Sequence, residues 1–197
     1  CKFSKNTEFE FNERADVIWY CLGGGSVEDA KRDPELARAF NLTLPSKIAY
    51  RLKHSHTKMV IFSTDYVADE SAPSDFTSEV VTPKSMYAKH KLELEKSLLR
   101  LNRGNIAVVR VGSLYGTHKP EKTFPGKILR NFGYGDLPYK IKLPQNNVTP
   151  TPTKWLAGML LNNWKRLFND KCTLNHHCAP NGYTTVHDWA KLVLQDL

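Results

Sequence analysis

Thr64, Asp65, Tyr87 and Lys91 are the residues of this sequence whose types and spacing could do chemistry together. Tyr87 and Lys91 stand four apart, and helical register puts such a pair on one face, so phenol and ammonium can reach one point in space. A free phenol ionises near pH ~10 and is a sluggish acid or base at neutrality. A neighbouring ammonium favours the phenolate and is expected to pull the Tyr87 pKa down. A Tyr and a Lys at this spacing also fit a packed ring beside a solvated ammonium. The catalytic reading gains from Thr64, a hydroxyl placed where a strand should end. Asp65 is read either as a substrate contact or as a carboxylate capping a loop.

These side chains need elements that bring them together. Residues 59–63, Met-Val-Ile-Phe-Ser, form a short apolar run that reads as a buried strand with Thr64 and Asp65 at its C-terminal end. In open α/β sheets that rim is where ligands bind. The stretch 64–84 is rich in Ser, Asp, Thr and Pro and reads as a long functional loop. Residues 85–102 predict a helix carrying Tyr87 and Lys91, with Leu94 and Leu98 among its apolar positions and Gly104 as its stop. Residues 15–21 and 105–111 predict two more buried strands, and 112–116 the loop after the second. Between them, 27–54 has a helical pattern with a break just before Pro34. Alternating strands and helices predict a parallel sheet covered on both faces. The glycines after residue 22 are read as a close backbone approach to a ligand or as a plain turn.

Beyond Thr117 prolines and glycines become more frequent. A short helix at 124–131, a strand at 138–143 and helices at 154–167 and 185–197 are expected there. The chain is accordingly divided into a sheet domain, 1–117, and a smaller mixed α/β substrate domain, 118–197, on the rim of the sheet.

The net charge of +8 and pI near 9.3 invite an anionic partner. The Lys and Arg residues are scattered and form no nucleic-acid motif, so a phosphate-bearing small molecule is preferred to nucleic acid. No apolar run reaches the roughly 20 residues of a membrane span, and no membrane partner is expected. The spacing of Cys1, Cys21, Cys172 and Cys178 fits no disulfide framework, so a reducing, cytoplasmic setting is expected. Residues 172–178, Cys-Thr-Leu-Asn-His-His-Cys, match no zinc pattern and are read as strand and loop at the edge of the smaller unit, with no metal site. Arg110 could meet a phosphate, but pairing with a carboxylate is favoured. Trp155, Trp164 and Trp189 are read as packing residues.

Four motifs, taken together, carry a resemblance. They are Ser63-Thr64-Asp65-Tyr66-Val67, Tyr87-Ala-Lys-His-Lys91, Arg110-Val-Gly-Ser-Leu-Tyr-Gly116 and Thr149-Pro-Thr151. With them the chain resembles the extended short-chain dehydrogenase/reductases, and within these the dTDP-4-dehydrorhamnose reductases, from about residue 15 to the end. The resemblance implies a Rossmann-like doubly wound parallel sheet, α/β in class, with a smaller C-terminal substrate domain. The family's opening strand–glycine loop–helix unit is not found in the sequence, which reads as part of a longer chain.

The activity implied is NADPH- or NADH-dependent reduction of a 4-keto-6-deoxy nucleotide sugar in deoxysugar biosynthesis. Tyr87 would be the general acid, Lys91 would tune it and bind the nicotinamide ribose, and Thr64 would hydrogen-bond the substrate carbonyl. Cofactor contacts would be Cys21, Leu22, Gly23, Asn41, Ser63, Tyr87, Lys91, Val111, Gly112 and Ser113, with Thr64, Asp65, Lys127 and Thr151 on the substrate side. Tyr66 stands where sugar-dehydrating relatives carry Glu, which favours reduction over elimination. The resemblance also allows a homodimer. An epimerase, or a non-catalytic subunit like the regulatory subunit of methionine adenosyltransferase, remains open as an alternative.

Overall fold

The structure is a computed structural model that describes residues 15–23, 27–67, 83–132, 143, 147–168, 173–178 and 182–195. Strand β1, Val17–Tyr20, is followed by helices α1, Val27–Arg32, and α2, Pro34–Arg38. Asp33 caps α2 by accepting from Leu36 N–H at 3.0 Å, and Pro34 occupies the first turn, where its missing N–H costs nothing. The expected break before Pro34 is present. The helical pattern then breaks again, into a π-helical turn, Ala39–Thr43, and helix α3, Leu44–Arg51. Pro45 supplies the reason: its ring cannot coexist with a regular carbonyl four residues earlier, so Leu44 N–H reaches back to Ala39 O instead.

Strand β2 is Lys58–Thr64 and leads into a single 3-10 turn, Asp65–Val67. Helix α4, Met86–Leu101, is capped by Ser85, which accepts from Ala88 N–H at 3.1 Å. Its end differs from expectation. Asn102, not Gly104, takes the left-handed conformation (φ 49°, ψ 50°), a role for which Asn is the usual substitute for Gly. Strand β3 is Ile106–Val111 and β4 is Ser113–Tyr115. Then come α5, Phe124–Phe132; β5, Asn147–Val148; β6, Pro150–Pro152; α6, Thr153–Asn162; β7, Thr173–Cys178; β8, Thr184–Thr185; and α7, Val186–Gln195.

The main sheet runs β1-β2-β3-β7 and every pairing in it is parallel. Alternation sets its two faces. Met59, Ile61, Ile106 and Val108 pack with Leu52, Leu94 and Leu98 under α3 and α4, while Val60, Ala107 and Val109 pack with Leu156 and Leu160 of α6. Leu94 and Leu98 are fully buried, each worth about 1.5–3 kcal/mol of transfer free energy.

Two expectations change. The stretch 112–116 is not only a loop, since β4 pairs in parallel with β6, a Pro-Thr-Pro strand whose missing donors are tolerated in a two-stranded ribbon. Residues 173–178 are not at the edge of the smaller unit: they form the fourth strand of the main sheet and satisfy the far edge of β3. From beyond residue 117, β7 and α6 both return to the main sheet. The expected strand at 138–143 lies, but for Leu143, outside the described residues.

Candidate active site

The C-terminal ends of β1, β2 and β3, the start of α4 and the length of α6 line an open cavity of about 560 Å³. Ser63 lines it, 2% exposed, and its Oγ has no hydrogen-bond partner among the described residues. The 3-10 turn after β2 folds the chain back so that Tyr66 N–H meets Thr64 Oγ1 at 3.3 Å. Thr64 in turn donates to Asp65 Oδ1 at 3.2 Å, and Thr149, arriving between β5 and β6, donates to Asp65 Oδ2 at 2.7 Å.

From α4, Tyr87 and Lys91 enter the same cavity. Lys91 is 5% exposed; its Nζ donates to Phe62 O at 2.8 Å and lies 5.9 Å from the Tyr87 ring centroid. Burial depresses its pKa to about 8, against the opposing pull of the Glu95 carboxylate one turn on. Burial, reinforced by the charge of Asp65 and by Tyr66, pushes Tyr87 up to about 12, while a hydrogen-bonding contact with Thr64 acts the other way. The expected lowering of the phenol by Lys91 is therefore reversed. The ammonium is turned to a backbone carbonyl and is itself desolvated, so loss of hydration outweighs charge attraction. Asp65 is raised by burial, with Thr149, Thr64 and two backbone N–H groups opposing the shift.

Of the residues read from the sequence, Cys21, Leu22, Gly23, Ser63, Tyr87, Lys91 and Val111 line the cavity. Cys21 is a free, exposed thiol whose pKa burial raises. Asn41 stands behind that wall, fully buried in the π turn, with its Oδ1 3.7 Å from where a Gly23 Cβ would lie. Thr64 and Asp65 adjoin Tyr87 without lining the cavity. Gly112 and Ser113 face Thr149 instead: a Cβ on Gly112 would lie 1.7 Å from Thr149 Oγ1, and Ser113 N–H donates to Thr149 O at 3.0 Å. Thr151 is fully buried and does not line the cavity; its hydroxyl donates to Thr149 O at 3.0 Å. Lys127 is exposed on α5 and does not reach the cavity.

Sequence reasoning missed the apolar wall of Trp19, Phe62, Leu114, Leu156 and Leu160. An aromatic near the end of β1 was a signal for Trp19; Thr149 stood in the Thr149-Pro-Thr151 motif, but nothing in the pattern placed it beside Asp65. Arg110 is the structural residue expected. Its guanidinium is forked onto Glu95 at 3.0 and 2.7 Å, both side chains being nearly sealed from solvent. Trp164 packs on Trp19 and Phe168, and Trp189 on Phe124 and Tyr115. Among the described residues no His, Cys, Asp and Glu cluster could hold a metal ion, and no helix is long and apolar enough to cross a membrane.

A parallel, doubly covered sheet with a Tyr-x-x-x-Lys helix at its carboxyl rim defines a Rossmann-type α/β protein. The chain belongs to the family described as the RmlD substrate binding domain, whose sequence model matches residues 6–197. It is 32% identical over 100 residues to "Methionine adenosyltransferase 2 subunit beta" of Xenopus tropicalis, covering 51% of this chain and 30% of that protein. It is 33% identical over 86 residues to the dTDP-4-dehydrorhamnose reductase of Salmonella typhimurium, covering 43% and 29%. The crystal structure of the Bacillus anthracis dTDP-4-dehydrorhamnose reductase in complex with NADP superposes with a TM-score of 0.75 at 22% identity, over 91% of this chain and 62% of that one. The matched stretch thus spans about 30% of the length of these curated relatives.

Proposed function

We propose that the chain carries the carbonyl-reducing rim of an NAD(P)H-dependent reductase of the short-chain dehydrogenase/reductase type, acting on a 4-keto-6-deoxy nucleotide sugar. The observation that carries this reading is the convergence of Tyr87, Thr64 and Lys91 beside one cavity. The residues present fit the nicotinamide end of the cofactor. The unpartnered Ser63 Oγ offers a hydrogen bond to an amide or ribose, and the wall of Trp19, Phe62 and Leu156 offers a flat ring an apolar surface.

When bound, the reduced nicotinamide supplies hydride to the carbonyl carbon. Charge then builds on the carbonyl oxygen, and Tyr87 gives that oxygen its phenolic proton. The raised pKa keeps Tyr87 in the protonated form that reduction requires, and an alkoxide is basic enough to take the proton. Lys91, fixed by Phe62 O, brings a cation to the phenolate as it forms and has further N–H donors for ribose hydroxyls.

Oxidation of NADPH by the protein in the presence of dTDP-4-keto-L-rhamnose tests the reading. Tyr87→Phe is expected to lower turnover at least 100-fold, the lower bound for losing a positioned general acid, with cofactor affinity unchanged. Turnover within a few-fold of the parent sinks it. The second reading, a non-catalytic subunit, is favoured by the similarity to the beta subunit of methionine adenosyltransferase 2. It predicts no turnover but stable co-purification with the rest of such an enzyme.

A further inference from the structure

Resting on the assignment of Tyr87 as the acid, we propose that Glu95, clamped by Arg110, is a positioning residue that keeps Lys91 cationic inside the cavity while the phenolate forms. Tyr87, Lys91 and Glu95 follow one another at four-residue steps along α4. They therefore share a face, with about 6 Å of axial rise between neighbours. Lys91 is 5% exposed and Glu95 1%. Burial strips the ammonium of water and favours its neutral form, and the Glu95 carboxylate is the charge that opposes this. Phe62 O, which accepts from Lys91 Nζ at 2.8 Å, fixes where the ammonium sits but brings no charge to it.

Arg110 is what holds the carboxylate at that distance. Its Nε and Nη2 donate to the two oxygens of Glu95, at 3.0 and 2.7 Å, and such a fork fixes the plane of a carboxylate as well as its place. Glu95 thus acts on Lys91 from the next turn, and Nζ stays on Phe62 O beside the cavity. Strand alternation puts Arg110 there. It follows Ile106 and Val108 on the α4 side of β3 and pairs with Ser63, which lines the cavity. The apolar face of the strand therefore ends in a charged layer just behind the site. Apolar side chains would stabilise that layer at least as well as a sealed ion pair, so stability alone does not call for one. The titratable and charged groups around Lys91 are Tyr87 and Glu95 on its own helix, Cys21 in the same cavity, Arg110 behind Glu95, and Asp65 beyond Tyr87.

Carbon-13 NMR titration of labelled lysine Cε in the cofactor-free protein tests this, with Lys91→Met for assignment. The parent midpoint of Lys91 is expected at about 8. Glu95→Gln keeps the side-chain shape and removes the charge, and should bring the midpoint below that value. Glu95→Met combined with Arg110→Met replaces the pair by apolar side chains, a change that folds commonly tolerate, and should lower it too. A midpoint unmoved in the folded Glu95→Gln protein, or in the folded double variant, overturns the proposal. In a parent that oxidises NADPH, the pH at which activity falls on the alkaline side should drop with the midpoint, and an alkaline limb that stays in place overturns the positioning role. The titration itself needs no turnover. A parent that fails to oxidise NADPH, with the midpoint still lowered by Glu95→Gln, would overturn the reductase assignment and leave Glu95 as the group that holds Lys91 charged.

Discussion

Lys91 is a buried cation held by one carbonyl, and that arrangement costs stability. Its folded pKa of about 8 lies below the ordinary lysine value of 10.5. Below about pH 8 both folded and unfolded states carry the proton, and the full penalty of burying the charge is present. Between there and the ordinary lysine range only the unfolded chain stays protonated, so the stability of the folded protein rises with pH. Lys91→Met is therefore expected to stabilise the protein by about 1–3 kcal/mol near neutrality, with the gain shrinking as pH is raised above ~8. Urea unfolding at the two pH values checks this, and a neutral-pH loss of stability would contradict it. At this scale the sequence disclosed which residues meet, because four-residue spacing on a helix is a rigid ruler. It did not disclose the direction of the Tyr87 shift, which depends on how deeply the phenol is buried beside the Asp65 turn.

At the scale of elements, close approach decides what each position tolerates. Gly112 brings β3 and β4 against Thr149, with no room for a methyl group between two backbones. Gly112→Ala is expected to cost about 3 kcal/mol, at the upper end of overpacking penalties, and to disturb the Asp65 site with it. Gly158, in the middle of α6, has nothing within 4 Å of its missing Cβ. Gly158→Ala should therefore stabilise by about 0.5–1 kcal/mol. Thermal melts of the two variants should move in opposite directions; a shared direction would contradict the packing described. The packing role of Gly112 was not legible beforehand, since its partner Thr149 lies far along the chain. By contrast β2, α4 and β3 were legible nearly to the residue, each having a single unambiguous period and a cap or breaker at its ends.

For the whole molecule, the alternation of apolar strands with helices was enough to define the class of fold, because a parallel sheet must be covered on both faces. What escaped was the route of the second half. Thr-Leu-Asn-His-His-Cys has too little apolar character to look like a strand of the main sheet, and Pro-Thr-Pro does not look like a strand at all. The net charge of +8 acts at this scale as well. Affinity for NADPH is expected to fall when ionic strength rises from about 0.01 to about 0.1 M, as the screening length drops from about 30 to about 10 Å. A fluorescence titration at both salts reads it, and an unchanged affinity would show that binding ignores the long-range field. The return of β7 to β3 has a further consequence, in the order of events during synthesis. Residues 112–172 must be made before the sheet can close, so the far edge of β3 waits unpaired while the chain lengthens. Pairing so distant in sequence is slow, and an open apolar edge recruits other chains. The nascent protein should thus be most prone to aggregate just before β7 emerges, and a chaperone that shields strand edges would be needed at that moment more than at any other.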